Sequence, residues 1–375
     1  MDLEALDRKI NRLERKISLL RLLQPTNITQ EKKRFFKNRN YNPQFHYFSP
    51  RINVKKIKKE LVSLNPGNSS LEKLFKSKIK YLNLKLNIIK SIGKEDFTFN
   101  SIKLYKKPIP TDVSYAYKQI KNNISTFKKQ RQRKVEQINK ILKKYLKIYK
   151  LNWQVKIAKK TPARISCYSK IIYLRKGALF TERELRRLVA HEIDTHILRK
   201  ENGKIQPFKI FASGFSNYET TEEGLALFNE FLASPRKKTK KLLPPLRILL
   251  RILAINLSLK YSFREVFEKL VALGIPQDMS FEAVLRSKRG IADTKLKGAF
   301  TKDCVYLNGW YKILSFLKMG GNLNDLYIGK IGIKNLETVK KIKGVKKPVI
   351  LPIFYHPKRT DFSYVKRKNS RFRKS

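Results

Sequence analysis

The stretch 188-LVAHEIDTHILRK-200 contains two of the four histidines in this 375-residue chain. In the zinc-protease signature H-E-x-x-H, the two histidines stand four residues apart on one helix. Here His191 and His196 are five residues apart, and Glu192 directly follows the first of them. Side chains four residues apart on an ideal α-helix differ in direction by about 40°, whereas side chains five apart differ by about 140°. A regular α-helix would therefore turn the two imidazoles away from each other.

A local change of helix type would remove this mismatch. A π-bulge adds one residue to a turn, and such bulges are concentrated at functional sites. If the two histidines share a metal ion, the helix must depart from α geometry between Glu192 and His196. The alternative is a regular amphipathic helix whose histidines have no common role, and the hexapeptide alone does not exclude it.

The segment 220-TTEEGLALFNEFLAS-234 offers candidates for a third ligand. A catalytic zinc ion has three protein ligands and keeps its fourth position for water. Glu222 and Glu223 lie at the start of a predicted helix, and either carboxylate is a suitable ligand. Alternatively, Glu223 closes a capping box with Thr220, and Glu222 stabilises the positive end of the helix dipole.

The charge of the chain is extreme, with 85 basic and 29 acidic residues and a net charge of +56. Such a surface attracts nucleic acid or other anionic surfaces. The excess is mostly lysine in a chain rich in Asn and Ile, so a compositional bias also accounts for it. Residues 181–234 differ from the rest, with nine acidic and seven basic residues. This near-neutral stretch indicates a local requirement for carboxylates.

Several features predict a soluble cytoplasmic protein without a transmembrane segment. Cys167 and Cys304 form no disulfide framework, which favours a reducing compartment. The charged start of the chain lacks the apolar core of a signal peptide. The most apolar run, 246-LRILLRILAINLSL-259, contains two arginines and is too short to span a bilayer.

Hydrophobic periodicity predicts a mainly helical α+β fold. Residues 1–24 are predicted to form a coiled-coil-like amphipathic helix that packs on the body of the protein, and residues 25–150 a Lys-rich helical region that packs on the domain at 151–360. The basic tail 361–375 is predicted to be disordered. Segments 153–157, 163–169 and 170–177 have strand composition and predict a small sheet. Capping boxes at Thr181–Glu184 and Ser262–Glu265 predict two helix starts.

Several motifs in order resemble one family of zinc metallopeptidases. They are ARIS, FTERELRRLVAHEIDTH, TEEGLA, FTKDCVYLNG and LYIGKIG. The family contains the microtubule-associated tyrosine carboxypeptidases and bacterial relatives named for a Q-E-G-L-A motif. The similarity extends from the NPQFHY segment to about VILPIFYHP, and the family pattern has H-E-x-x-x-H.

The resemblance implies that residues 151–360 form a zincin-like catalytic domain with one Zn²⁺ per chain. It makes His191 and His196 metal ligands, Glu192 the general base, and the glutamate before Gly-Leu-Ala, which is Glu223, the third ligand. Two departures matter. Asp194 stands where the family commonly has Gly, and Thr-Glu-Glu replaces Gln-Glu, so Glu222 remains a rival ligand.

The implied function is zinc-dependent hydrolysis of peptide bonds in a protein or peptide substrate, with release of C-terminal residues. In that chemistry Glu192 takes a proton from the zinc-bound water and passes it to the leaving amine. An oxyanion donor is also needed, for which Tyr218 and Tyr306 are candidates. A terminal carboxylate is best bound by arginine, and the basic candidates are Arg286, Arg289 and Lys302.

Of these residues, Arg289, Lys302 and Tyr306 are assigned to substrate binding. The rival hypothesis is a basic nucleic-acid-binding protein with an inert or secondary peptidase core, and a scaffold role through the first helix and the basic surface is a third. The sequence leaves the substrate, the choice between exo- and endopeptidase activity, and the oligomeric state open.

Overall fold

The computed structural model describes residues 2–49, 52–127, 132–159, 161, 164–168, 170–234 and 242–353. The predicted tail 361–375 lies outside these residues. The described part is mainly helical with a small mixed sheet, which confirms the α+β class. Two compact units share the chain. The first comprises residues 1–67, 76–129 and 243–307, and the second comprises residues 68–75, 130–242 and 308–375.

The first unit is built from helices. They are α1 (Leu3–Lys16), α2 (Leu19–Leu22), α3 (Ile28–Lys37), α4 (Val54–Val62), most of α5 (Ser70–Lys90), α6 (Phe97–Tyr105), α7 (Pro110–Asn122), α13 (Leu246–Ser258), α14 (Phe263–Ala272) and α15 (Gln277–Ser287), with 3₁₀ turns at Ile124–Phe127 and Thr301–Asp303. The predicted capping box of Ser262 and Glu265 opens α14. The division of the sequence at residue 150 stays a prediction, because compactness within one chain does not show which parts fold alone.

The most apolar segment of the sequence forms a buried helix of the first unit. Residues on several sides of α13, among them Ile248, Leu250, Ile252 and Leu253, are 4% exposed or less. The helix packs against α7, α14 and α15, which explains why its sequence shows no single apolar stripe. None of the described helices is both long and apolar enough to cross a membrane.

The predicted N-terminal helix is interrupted. It was expected to span residues 1–24, but α1 ends at Lys16, because Ile17 adopts an extended conformation, and α2 starts at Leu19. Leu6, Ile10 and Leu13 are each 1% exposed. The apolar seam of α1 is therefore buried within the first unit.

A buried ion pair accompanies this seam. Lys78 on α5 has a fully buried side chain, and its Nζ donates to Glu14 Oε1 on α1 at 2.6 Å. A buried charge is costly without a partner of opposite charge, so the pair makes the docking of α1 sensitive to Glu14.

We expect Glu14→Ala to lower the free energy of unfolding by about 3 kcal/mol, because it removes a carboxylate that bonds the buried ammonium of Lys78. The matched control is Glu4→Ala on the same helix, which removes the exposed ion pair of Glu4 and Arg8. That change should cost no more than about 0.5 kcal/mol. Urea titration of both variants measures the difference, and equal midpoints would contradict the role of the buried pair.

The second unit combines two small sheets with helices. Its strands are β1 (Gln132–Lys134), β2 (Gln154–Ala158), β3 (Ile165–Tyr168), β4 (Ile171–Arg175) and β5 (Leu179–Thr181), and its helices are α8 (Val135–Ile148), α9 (Glu182–Leu188), a π-helix (Val189–Ile197), α10 (Leu198–Lys204), α11 (Ile210–Ser213), α12 (Tyr218–Ala233), the larger part of α16 (Cys304–Lys318) and α17 (Leu336–Lys340), with 3₁₀ turns at Leu323–Tyr327 and Ile333–Asn335.

Strands β2, β4 and β3 form the mixed sheet in that order. β2 runs parallel to β4 with Gln154 opposite Ile171, and β3 runs antiparallel to β4 with Cys167 opposite Ile172. These strands confirm the predicted small sheet. β1 and β5 pair antiparallel in a second sheet.

Two helix starts in the second unit determine where the candidate ligands lie. The predicted capping box of Thr181 and Glu184 opens α9. The helix with the glutamates begins at Tyr218, after Asn217 in the left-handed conformation. Thr220 therefore lies inside α12, and the capping-box alternative for Glu223 is wrong.

Candidate metal centre

The helix that bears the two histidines departs from α geometry where the spacing requires it. Residues Val189–Ile197 form a π-helix between α9 and α10. The predicted distortion is therefore confirmed. The imidazole rings of His191 and His196 lie with their centroids 4.8 Å apart, at an interplanar angle of 74°. The wider turn brings two side chains together that an α-helix would separate.

Helix α12 brings a carboxylate to both imidazoles. Glu223 Oε2 lies 3.3 Å from His191 Nε2 and 3.8 Å from His196 Nε2. Among the described residues, these three offer ligand atoms within 4.8 Å of one another. Tetrahedral zinc with bonds of 2.0–2.2 Å requires ligand atoms about 3.3 Å apart. The nitrogen and oxygen donors present here thus suit a zinc ion in both type and spacing.

Glu222 lies beside the same histidine but faces its other nitrogen. Its Oε2 is 3.2 Å from His196 Nδ1. Lys330 Nζ approaches the Glu222 carboxylate at 3.1 Å, and Arg199 Nη1 approaches it at 3.5 Å. Burial opposes ionisation of Glu222, but Lys330, His196 and Arg199 outweigh it and lower its pKa to about 2. Glu222 is therefore an ionised partner of the imidazole, which leaves Glu223 as the carboxylate between the two Nε2 atoms.

A second carboxylate, that of Glu230, faces Nδ1 of the other histidine. Glu230 Oε1 lies 2.8 Å from His191 Nδ1, and Arg187 Nε approaches Glu230 Oε2 at 3.4 Å. Burial disfavours the charged imidazole, but Glu223, Glu230 and Glu192 raise the pKa of His191 to about 10. Carboxylates on Nδ1 fix the ring orientation and direct Nε2 of each histidine toward Glu223.

Glu192 lies next to the first candidate ligand and contacts strand β3. The Sγ–H of Cys167 donates to Glu192 Oε2 at 3.5 Å. Burial first, and then the nearby Glu192 carboxylate, raise the pKa of the Cys167 thiol well above its usual value. The thiol therefore remains a donor to the carboxylate that the sequence assigns as the general base.

Asp194, which stands where the family commonly has Gly, makes a buried contact. Asp194 is 2% exposed, and Tyr149 O–H donates to its Oδ1 at 2.6 Å. Burial raises the pKa of Asp194 to about 7, and the bond from Tyr149 opposes that shift. The side chain thus packs within the second unit.

Two glycines allow α12 to lie against α16. A Cβ atom added to Gly224 would stand 2.2 Å from the carbonyl carbon of Gly309, and one added to Gly309 would stand 2.1 Å from the carbonyl oxygen of Thr220. Real Cβ contacts are not that short, so both positions need glycine for the close approach. Gly224 thus admits a neighbouring backbone directly beside Glu223.

The residues assigned to substrate binding belong to the first unit. Arg286 makes a bidentate ion pair with Asp303, and Arg251 lies 3.7 Å from the same carboxylate. Lys302 Nζ lies 5.6 Å from the ring centroid of Tyr306. Burial lowers the pKa of Arg289 to about 10, and Arg286 contributes to this shift. The roles of Arg289, Lys302 and Tyr306 stay predictions.

Tyr218, the other oxyanion candidate, starts α12 in the second unit. Its ring fills the space beside Gly214, and Lys330 Nζ lies 5.3 Å from its centroid. A role in catalysis stays a prediction for Tyr218 as well.

Comparison with known proteins shows the family to which the chain belongs. The model of the family described as microtubule-associated tyrosine carboxypeptidase matches residues 33–372. The chain belongs to this family. It is 27% identical over 350 residues to microtubule-associated tyrosine carboxypeptidase 1 of Rattus norvegicus, covering 90% of this chain and 64% of that protein. It is 38% identical over 133 residues to the Homo sapiens protein of that name, covering 34% of this chain and 26% of the relative. The chain thus spans less than two thirds of the length of these relatives.

Sequence reasoning missed the partners that orient the ligands. Glu230 follows Glu223 by seven residues, or about two helical turns, so this spacing places both on one face of α12 and could have identified Glu230. Lys330 and Arg199 carry no local signal, since they reach Glu222 only through the tertiary fold. The contact of Cys167 with Glu192 likewise depends on how β3 lies against the π-helix.

We expect Glu223→Gln to lose zinc on dialysis, because it removes the charged oxygen donor from between the two imidazoles. Glu222→Gln should retain zinc in equal stoichiometry, with affinity lowered about tenfold, because it only weakens the orientation of His196. Elemental analysis after dialysis measures this difference. Zinc retained by Glu223→Gln and lost by Glu222→Gln would reverse the assignment.

We expect Gly309→Ala to weaken zinc binding at least tenfold, because a methyl group at this crossing must displace α12 together with Glu223. The matched control is Gly177→Ala, at a position where an added Cβ meets nothing within 4 Å. The positive φ of Gly177 costs stability in that variant but leaves the metal centre in place. Competition with a chelating dye measures both affinities, and equal affinities would contradict the role of the crossing.

Proposed function

We propose that this chain is a zinc-dependent peptidase of the carboxypeptidase type. The observation that carries the proposal is the convergence of His191 Nε2, His196 Nε2 and Glu223 Oε2. Family membership supports the reaction class, because the relatives are named tyrosine carboxypeptidases. A histidine pair and one carboxylate form the ligand set of several catalytic zinc sites, which leave the fourth position open.

The protein groups have separate roles in this chemistry. A bound zinc ion would supply Lewis acidity, which activates a water molecule and polarises the scissile carbonyl. Glu192 accepts a proton from the attacking water and transfers it to the leaving amine. The thiol of Cys167 donates to Glu192 Oε2, and so keeps the carboxylate at one position while its other oxygen remains available for the proton. Glu222 and Glu230 hold the imidazoles in place.

Release of C-terminal residues is the finer part of the proposal, and the names of the relatives support it. An enzyme of this type must recognise a free carboxylate, which arginine binds best. The rival function, nucleic-acid binding through the basic surface, rests on the net charge of +56 alone.

Peptide cleavage and metal content test the proposal together. Matched peptides that end in a free carboxylate or in an amide should be distinguished, with only the free acid losing its last residue. Activity should disappear with a chelator and return with zinc. A chain that binds no zinc, yet binds RNA tightly, would overturn the proposal in favour of the rival function.

We expect Glu192→Gln to lower the rate of cleavage by at least 10²-fold and to leave zinc stoichiometry unchanged. The amide keeps the size of the side chain but cannot accept the proton. Single-turnover assays together with metal analysis measure both effects, with Glu201→Gln on α10 as a control for loss of a nearby carboxylate. Near-normal cleavage by Glu192→Gln would show that another residue is the base.

A further inference from the structure

The π-helix needs an explanation of its own, because α9 and α10 flank it and a continuous α-helix would be the ordinary structure. In a π-helix each backbone N–H bonds the carbonyl five residues before it instead of four. Two side-chain hydroxyls also donate to carbonyls of this segment. Thr195 Oγ1 donates to the carbonyl of Ala190 at 2.8 Å, and Tyr327 O–H donates to the carbonyl of Asp194 at 2.7 Å.

Both hydroxyls accept hydrogen bonds from one amide. Asn229 Nδ2 donates to Thr195 Oγ1 and to the hydroxyl oxygen of Tyr327, each at 2.7 Å. Each hydroxyl proton is thereby left for the carbonyl, because the hydroxyl oxygen already accepts from the amide. Hydrogen bonds connected in this way strengthen one another, and each of the three side chains is fully buried.

The position of Asn229 connects this network with the candidate ligands. It lies on α12, the helix that supplies Glu223, and it bonds Thr195, the residue directly before His196. A change in the π-helix between Ala190 and Asp194 would change the direction of His196 relative to His191, since the added residue per turn is what aligns them.

We propose that Asn229 is a positioning residue that holds the helix at 189–197 in its π form and thereby sets the separation of His191 and His196. Its amide N–H groups determine the direction of donation in the network: the amide donates to each hydroxyl, and each hydroxyl donates to a backbone carbonyl. The effect on metal binding rests on the proposed function, but the effect on the helix does not.

Asn229→Asp is the sharpest variant, because it keeps the shape and removes both N–H donors. A carboxyl group offers one donor when protonated and none when ionised, so at least one of the hydroxyls of Thr195 and Tyr327 would donate to it and release its carbonyl. The matched control is Asn202→Asp on α10. Asn202 is 1% exposed and donates to the carbonyl of Ile350, which lies outside the π-helix.

Two measurements on the full chain test the proposal. Zinc affinity and the visible spectrum of the Co²⁺-substituted protein report the ligand geometry, and amide hydrogen exchange of the metal-free protein reports the helix. We expect Asn229→Asp to bind zinc 10–100-fold more weakly, with a changed Co²⁺ spectrum and with faster exchange concentrated in 189–197. Asn202→Asp should bind zinc within about threefold of wild type, with its exchange changes near 349–350.

Each outcome of these measurements supports or overturns the role of Asn229. A folded Asn229→Asp protein with wild-type zinc affinity and wild-type exchange at 189–197 overturns the proposal. If the wild-type chain binds no zinc, the proposed function fails, and hydrogen exchange alone decides about the helix. If Asn229→Asp does not fold, Tyr327→Phe takes its place, since it removes only the hydroxyl that bonds Asp194. Unchanged exchange at 189–197 in that variant also overturns the proposal.

Discussion

Five residues separate His191 from His196, and an α-helix turns side chains at that spacing about 140° apart. The arrangement of the whole centre follows from this constraint. The backbone adopts a π-helix, the rings come within 4.8 Å, and a neighbouring helix must then reach the space between them. It can do so because Gly224 and Gly309 let α12 and α16 approach more closely than any other residue pair would allow. The spacing of His191 and His196 thus also constrains α16, a helix more than a hundred residues further along the chain.

Charge is the second constraint. Glu192, Glu222, Glu223 and Glu230 lie around two imidazoles, with Glu222 and Glu230 buried and the other two half-buried, and like charges repel strongly in such surroundings. Cations within the same unit offset this repulsion. Arg199 and Lys330 lie at Glu222, and Arg187 lies at Glu230, whereas the carboxylate of Glu223 faces the Nε2 atoms of the histidines. The near neutrality of residues 181–234 in a chain of net charge +56 reflects this concentration of carboxylates.

Local rules explain which parts could be predicted from the sequence. The capping boxes at Thr181 and Ser262 follow from interactions within a few residues, and the small sheet follows from the composition of its strands. The departure from α geometry follows from the angle between residues five apart, on the condition that His191 and His196 share one site. The end of α1 at Lys16 was missed because the apolar spacing continues through Ile17, although the backbone does not. The start of α12 was missed because it depends on Asn217 in a left-handed conformation, which the spacing of apolar residues does not reveal.

In the candidate centre, too, some features have a local signal in the sequence and others depend on the tertiary fold. The hexapeptide made the histidines and Glu192 candidates, and the family resemblance gave them their predicted roles together with the preference for Glu223. The contrast between Glu222 and Glu223 has a tertiary cause, because the ammonium that pairs with Glu222 belongs to Lys330, more than a hundred residues away in sequence. No property of two adjacent glutamates could reveal which of them would meet that ammonium.

One pattern in α12 nevertheless connects sequence and site. Glu222 and Asn229 are seven residues apart, and so are Glu223 and Glu230. Seven residues are about two turns, so each pair forms a row along the helix, and the two rows lie about 100° apart. One row meets Nε2 and Nδ1 of His191 through Glu223 and Glu230. The other meets His196 and the residue before it through Glu222 and Asn229. Glu230 thus orients His191 and Glu222 orients His196, while Glu223 lies between the Nε2 atoms of both. The residues E-E-x5-N-E therefore place a candidate ligand, two orienting carboxylates and the amide donor on two turns of a single helix.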